Sequence, residues 1–187
     1  MDVRVERVAD QAKVKDLYLS AFGDRGRAVS DLVETLRHSV TADNGLSLVA
    51  ADGQQIVGHA MLTRSLLDTP RKLLEVQVLS PVAVLPTRQR QNTGSTLIRS
   101  GLGAMADRGV PIVFVEGPPR YYARFGFEPG ATQGFRKPSL RIPDAAFQAI
   151  RLSPYAPWMT GTLVYAEAFW QHDAVGLRDP TVWEARG

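Results

Sequence analysis

The sequence predicts an α/β fold of the α+β type, one domain built on a mixed sheet. Three observations carry this. Two amphipathic helical patterns follow the first strand. Then Asp52-Gly53 stands between the apolar runs Ser47 to Ala51 and Ile56 to Leu62, the signature of an antiparallel hairpin. Finally, a strand pattern over Leu74 to Leu85, a helical one over Ser95 to Arg108 and the apolar run Ile112 to Val115 form a strand–helix–strand unit. Such a unit crosses over right-handed and sets its two strands parallel.

The elements read in order as follows. Arg4 to Val8 alternates polar and apolar, as a half-buried strand does. Asp10 is placed to cap a helix with Val14, Leu17, Tyr18, Ala21 and Phe22 on one face, and Gly23 can close it. Val29, Leu32, Val33 and Leu36 give the stripe of a second helix. After the hairpin, Thr63 to Arg71 reads as a polar connection. The strand Leu74 to Leu85 is interrupted by Ser80-Pro81, read as a bulge because both flanks are apolar. Ile98, Leu102 and Met105 share one face of the next helix, which Gly109 ends. Ile112 to Val115 has no polar alternation, as in a strand covered on both faces. Tyr121 to Gly126 reads as a short helix and Phe127 opens another strand. Pro143-Asp144 introduces a helical segment, Ala145 to Ile150, and Gly161 to Glu167 alternates as a last strand. No linker divides the chain, so residues 1–187 are read as one domain.

Composition narrows the function. The chain of 187 residues is 44% hydrophobic and 22% charged, the values of an ordinary globular protein. No apolar run is long enough to span a bilayer, and the charged N-terminus lacks an apolar signal core, so the cytoplasm is expected. Cysteine is absent, which excludes disulfides, thiol catalysis and thiolate metal sites. His38 and His172 have no partners at ligand spacing, so no metal is expected. Net charge is +3, suiting an anionic small molecule as well as nucleic acid.

One stretch concentrates chemistry: Val82-Ala83-Val84, then Gln89-Arg90-Gln91-Asn92, then Thr93-Gly94-Ser95 opening a helix. A strand, a basic loop and a helix N-terminus present free N–H groups and a positive dipole end to an anion. Gly94 lets backbone approach a ligand closely. Arg88 and Arg90 add charge. A phosphate or pyrophosphate is one reading; an ordinary βα turn with a solvated basic loop is the other.

Ser80 to Ile98 and Pro118 to Phe127 carry a resemblance that covers nearly the whole chain in element order. The first is similar to the bulged strand and the Gln/Arg-x-x-Gly-x-Gly/Ala loop of the GNAT acetyltransferase superfamily. The second, Tyr-Tyr-Ala-Arg-Phe-Gly-Phe, resembles that family's late Tyr-x-x-x-Gly-Phe signature. The two runs look closest to a bacterial branch of predicted acetyltransferases. The resemblance implies a mixed, mostly antiparallel sheet with a central parallel strand pair and helices on both faces. It also implies acetyl-CoA as cosubstrate, with no metal, and transfer of its acetyl group to an amine. Asn92 stands where the first loop glycine is usual. Asn tolerates left-handed angles, so the loop either keeps its shape or is looser and holds CoA less well.

On this resemblance Val82, Ala83, Val84 and Gln89 to Ser95 bind the cosubstrate. The bulge would expose backbone to the pantetheine arm and aim an N–H near Val82 or Ala83 at the thioester carbonyl. Tyr122, four residues before Gly126, would protonate the departing thiolate. Core packing in the cluster Tyr121, Tyr122, Phe125 and Phe127 is its other reading. Glu75 is the candidate base and Glu116 an alternative; a solvated or ion-paired carboxylate is the plainer account of each. His59 reads as a hydrogen-bonded structural histidine. The expected partner is a small-molecule or peptide amine, with no nucleic acid and no membrane, and the protein a monomer or homodimer. A CoA-binding sensor of the same fold that does no chemistry is the alternative. A nucleic-acid binder is weaker still, because no aromatic residue interleaves the arginines from Arg88 to Arg99.

Overall fold

The structure is a computed structural model that describes residues 1–41 and 43–178. The last nine positions of the 1–187 domain range, and position 42, lie outside the described residues. Contacts divide the chain into two compact units. One holds Met1–Thr63 with Leu79–Met105; the other holds Arg64–Val78 with Ala106–Gly187.

In the first unit, β1 (Asp2–Val5) lies antiparallel to β2 (Leu46–Asp52), with Val5 opposite Leu48. The first strand thus starts two residues earlier than its polar–apolar alternation suggests and stops before Glu6. Hairpin Asp52-Gly53 turns β2 into β3 (Gln55–Asp68), Asp52 facing Gln55 and Gly53 taking a φ of 60°. Helices α1 (Gln11–Phe22) and α2 (Gly26–Ser39) bury the stripes their spacing predicts: Val14, Leu17 and Tyr18 on one, Leu32, Val33 and Leu36 on the other. Asp10 is not a side-chain N-cap for α1. Its carboxylate instead accepts from the Arg7 N–H at 2.8 Å and from the Arg4 guanidinium.

Strand β4 (Leu73–Val84) runs through Ser80-Pro81, whose peptide bond is cis, and gives Leu79 onward to this unit. Helix α3 (Thr93–Asp107) buries Thr93, Gly94, Leu97, Ile98, Gly101 and Met105. Two glycines admit it. A Cβ on Gly58 would stand 2.8 Å from Leu97 Cδ1 and 3.0 Å from Thr93 Cγ2, and one on Gly101 2.7 Å from Leu62 Cδ1.

In the second unit, the first half of β4 pairs parallel with β5 (Ile112–Glu116). That ladder has only Gln77 opposite Val113 and Val78 opposite Phe114. On its other side β5 pairs antiparallel with β8 (Phe147–Arg151), which also takes β6 (Glu128–Pro129). The end of β3 pairs with β9 (Gly161–Val164), and β9 runs parallel to the short β7 (Phe135–Arg136). Helices α4 (Pro119–Tyr122) and α5 (Glu167–Gln171) complete the unit. Phe114 anchors its core, stacked on Phe147 and edge-on to Phe135. The pairings are mostly antiparallel, with β4 and β5 the parallel pair of the expected crossover. The mixed α/β fold class stands.

Three expectations are corrected. Ala145 to Ile150 is not helical: one turn closes on Pro143, and the chain then becomes β8. Six residues are too few for a helix to hold itself. Pairing with β5, buried from Ile112 to Val115, outweighs their local preference. Thr63 to Arg71 is not a connection either, since β3 continues to Asp68. From Thr63 on, buried Thr63, Ser65 and Leu67 alternate with exposed Arg64, half-buried Leu66 and exposed Asp68, but two of the three buried residues are polar, so composition concealed the period of two. Finally, the last strand ends at Val164, and Glu167 opens α5 instead of closing a strand.

Candidate functional site

After β4 the chain makes a tight turn at Pro86–Arg88, anchored where the Leu85 N–H donates to the Val57 carbonyl at 3.0 Å. Gln89 is extended, and then the two residues flanking Gln91 are left-handed: Arg90 at φ 60° and Asn92 at φ 65°. Asn92 therefore adopts the backbone angle that a glycine would supply, which its short polar side chain tolerates. Left-handed residues curl the backbone so that successive N–H groups face one anion.

Helix α3 begins at the next residue, and the Thr96 N–H donates to the Asn92 carbonyl at 2.9 Å. By position, the N–H groups of Thr93, Gly94 and Ser95 precede any acceptor within the helix. They stand at the positive end of the helix dipole, beside a buried glycine that carries no side chain. Phosphate oxygens fit this arrangement of donors.

The loop side chains brace this shape. Gln89 Nε2 donates to the Val84 carbonyl, Gln91 Nε2 to that of Thr87, and Thr93 Oγ1 to that of Arg88. Arg88 is not a free charge: it pairs with Asp52 Oδ2 of the hairpin at 2.5 Å. Arg90 is exposed and makes no ion pair among the described residues, so it supplies the loop's open positive charge. Upstream, Ala83 is buried while Val82 and Val84 are half-buried.

The remaining predicted residues lie in the second unit. Tyr122 closes α4 and is 8% exposed. Its ring meets Tyr121 and Phe127 edge-on, and a Cβ on Gly117 would stand 2.4 Å from its Cε2, so glycine is what seats the ring there. Burial, with Tyr121 adding to it, raises the Tyr122 phenol above its ordinary range, which keeps it protonated. A group in that state is a hydrogen-bond donor, and a weaker acid than an exposed tyrosine. Tyr121 is committed to packing, its ring 4.0 Å beneath the Arg124 guanidinium.

Glu75 is exposed and ion-paired with Arg64. Glu116, at the end of β5, is half-buried and accepts from the Tyr165 hydroxyl at 3.5 Å and the Gly176 N–H at 3.4 Å. His59 is wholly enclosed and hydrogen-bonded through both ring nitrogens. Among the described residues no group of three or more potential ligands could hold a metal ion. Nor is any described helix long and apolar enough to cross a membrane.

Sequence reasoning did not find the Arg88–Asp52 pair, because a hairpin turn and a loop 36 residues apart share no pattern. Nor did it find the partners of His59.

Residues 2–130 match the family model of the acetyltransferase (GNAT) domain. An uncharacterized N-acetyltransferase of Escherichia coli K12, YjhQ, is 35% identical over 123 residues, which are 66% of this chain and 67% of that protein. Among solved structures, the GNAT family N-acetyltransferase YhbS of Escherichia coli, in complex with CoA, superposes with a TM-score of 0.79. It is 29% identical, over 90% of this chain and 91% of that one. A GNAT family acetyltransferase of Brucella melitensis in complex with acetyl-CoA gives 0.71, also at 29% identity, over 90% of this chain and 97% of that one. With a left-handed loop feeding a helix N-terminus, a tyrosine four residues before Gly126 and these relatives, the chain belongs to the GNAT acetyltransferase family.

Proposed function

We propose that this N-acetyltransferase moves the acetyl group of acetyl-CoA to the amine of a small molecule or peptide. The observation that carries the reading is the left-handed pair Arg90 and Asn92 ahead of the α3 N-terminus. It supports placing the CoA pyrophosphate on the N–H groups from Gln91 to Ser95, with Arg90 beside it. Gln89 and Gln91 act by holding the loop's shape.

In this reading the pantetheine arm runs along Val82, Ala83 and Val84. The amine lone pair attacks the thioester carbon, and the N–H of Val82 or Ala83 stabilises the oxyanion that forms. The C–S bond then breaks, and Tyr122 gives its proton to the departing sulfur. An ammonium substrate loses two protons in becoming an amide: one matches the proton delivered to sulfur, and the other leaves with solvent. Glu75 is the proposed relay for that proton through water, in competition with its partner Arg64. Glu116 is the alternative. Use of acetyl-CoA supports a cytoplasmic location.

The test is release of free CoA thiol from acetyl-CoA, screened against a panel of amines. Acetyl-CoA should also raise the melting temperature by mass action. Binding without turnover of any amine would make the chain a sensor of the same fold, and no binding would overturn both readings.

A further inference from the structure

Five polar side chains form a buried chain in the first unit that the loop site does not use. Arg37 of α2 donates to Glu6 Oε1 at 2.8 Å and to Oε2 at 3.3 Å. Ser47 Oγ of β2 donates to Glu6 Oε2 at 2.6 Å. His59 Nε2 of β3 lies 2.8 Å from Ser47 Oγ, and its Nδ1 lies 2.8 Å from the Tyr18 hydroxyl of α1. That hydroxyl also reaches the Pro81 carbonyl of β4, at 3.4 Å. Tyr18 and His59 are both 0% exposed.

The protons in this chain run one way. Burial pulls the Glu6 carboxylate up, but His59, whose Nε2 lies 3.5 Å from Glu6 Oε2, together with the hydrogen bonds from Arg37 and Ser47, outweighs it and holds the group down at about 2. Glu6 is therefore an ionised acceptor, and Ser47 gives it its only proton. Ser47 Oγ then accepts from His59 Nε2–H. Burial lowers the pKa of His59, so its ring is neutral and Nδ1 is left as an acceptor. Nδ1 takes the Tyr18 proton. The Tyr18 O–H is thus a branched donor, with its short arm on His59 and its long arm on Pro81.

Buried polar chains are seldom more stable than apolar packing, so the specific orientation they enforce is what sets them apart. This one ends on a backbone carbonyl. The Pro81 C=O and the Val82 N–H belong to one planar trans peptide, in which the two bonds point in opposite directions. Holding the carbonyl toward α1 turns the Val82 N–H away from α1. We propose that Tyr18, fixed by His59, Ser47, Glu6 and Arg37, is a positioning residue that aims the Val82 N–H at the acetyl carbonyl of bound acetyl-CoA. Tyr18 touches no substrate. This rests on the reading above, in which Val82 lines the thioester.

The experiment is isotope-edited infrared spectroscopy of acetyl-CoA labelled with carbon-13 at its carbonyl, bound to wild type and to Tyr18→Phe. A hydrogen bond from Val82 lowers the carbonyl band in the wild-type complex relative to free acetyl-CoA. In Tyr18→Phe the band should return toward the free value. Single-turnover acetyl transfer should slow about tenfold, the order of loss expected from a small misplacement. Affinity for CoA, which has no acetyl carbonyl, should be unchanged. If Tyr18→Phe does not fold, Ser47→Ala cuts the chain one link further back and should shift the band in the same direction by less. A folded variant with wild-type band and rate overturns the role of Tyr18 and leaves the acetyltransferase reading intact. Failure of wild type to bind acetyl-CoA would overturn the cosubstrate reading, and this proposal with it.

Discussion

Replacing Asn92 by valine tests whether the left-handed loop holds the pyrophosphate. Asn92 is exposed, so the change removes no core packing; what it alters is the cost of a φ of 65°. That angle costs an ordinary L-residue about 1–2 kcal/mol, while asparagine visits it readily, and β-branching makes valine a poor occupant. If the loop keeps its shape, the protein loses about that much stability, a drop in melting temperature of roughly 2–8 °C at this size. If the loop relaxes instead, the same energy is lost from binding, and CoA affinity falls about tenfold. Either way, stability and affinity losses together should total about 1–2 kcal/mol. Titration calorimetry and thermal melts on one preparation measure both. Pantetheine, which lacks the pyrophosphate, is the control and should bind both proteins equally. Asn92→Gly should match wild type or improve on it. An Asn92→Val protein with unchanged melting and unchanged CoA affinity would refute the argument that this angle shapes the site.

Tyr122→Phe keeps the buried ring and removes one hydroxyl; single-turnover transfer should slow about a hundredfold if the phenol is the acid, with Tyr121→Phe as the matched control. Equal, small effects at the two positions would reduce Tyr122 to packing. Gly58→Val puts a side chain where Leu97 and Thr93 now sit, 2.8 and 3.0 Å from the new Cβ, and overpacking of this kind costs about 1–3 kcal/mol. Chemical denaturation reads this loss, and a neutral result would mean that α3 is free to move away. The carboxylates of Glu6 and Asp10 are both held down at about 2 from ordinary values of 4.5 and 3.8. A depressed carboxylate contributes stability that is full above its unfolded pKa and is lost as pH falls through the folded one. Stability should therefore decline from about pH 5 toward pH 2. Glu6→Gln should flatten that decline but not abolish it, because Asp10 remains. An unchanged slope on denaturation across that range would show that Glu6 is not held as described.

The sequence displays what depends on local rules. Asp52-Gly53 marks its hairpin because the turn itself requires those residues, and the stripes of α1 and α2 repeat at the helical period. The turn before α3 was legible for the same reason: Thr93-Gly94-Ser95 opens a helix by local rules, whatever lies around it. What depends on partners distant in the chain was not legible. The segment Ala145 to Ile150 has helical spacing and becomes a strand only because β5 needs a second neighbour. Thr63 and Ser65 look like loop residues until their burial is known. Arg88 reads as a free phosphate ligand, and only the fold brings Asp52 to it. His59 was legible as structural, but the four other residues in its chain come from different elements.

The Arg88–Asp52 pair bears on what else this protein attracts. Both side chains are about two-fifths exposed, so the pair contributes little to stability, about 0–1 kcal/mol, and is screened by salt. Its larger effect is on the field around the loop. By cancelling one of two neighbouring arginines, Asp52 leaves Arg90 as the open cation of the described loop, enough to complement the compact ligand proposed above. Without Asp52 the loop would present two adjacent cations and draw in any polyanion, nucleotides and RNA included, at a rate that falls steeply with ionic strength. If the loop holds phosphate as proposed, an acid in a hairpin turn, with no place in the chemistry, would thereby restrain that site from serving every anion.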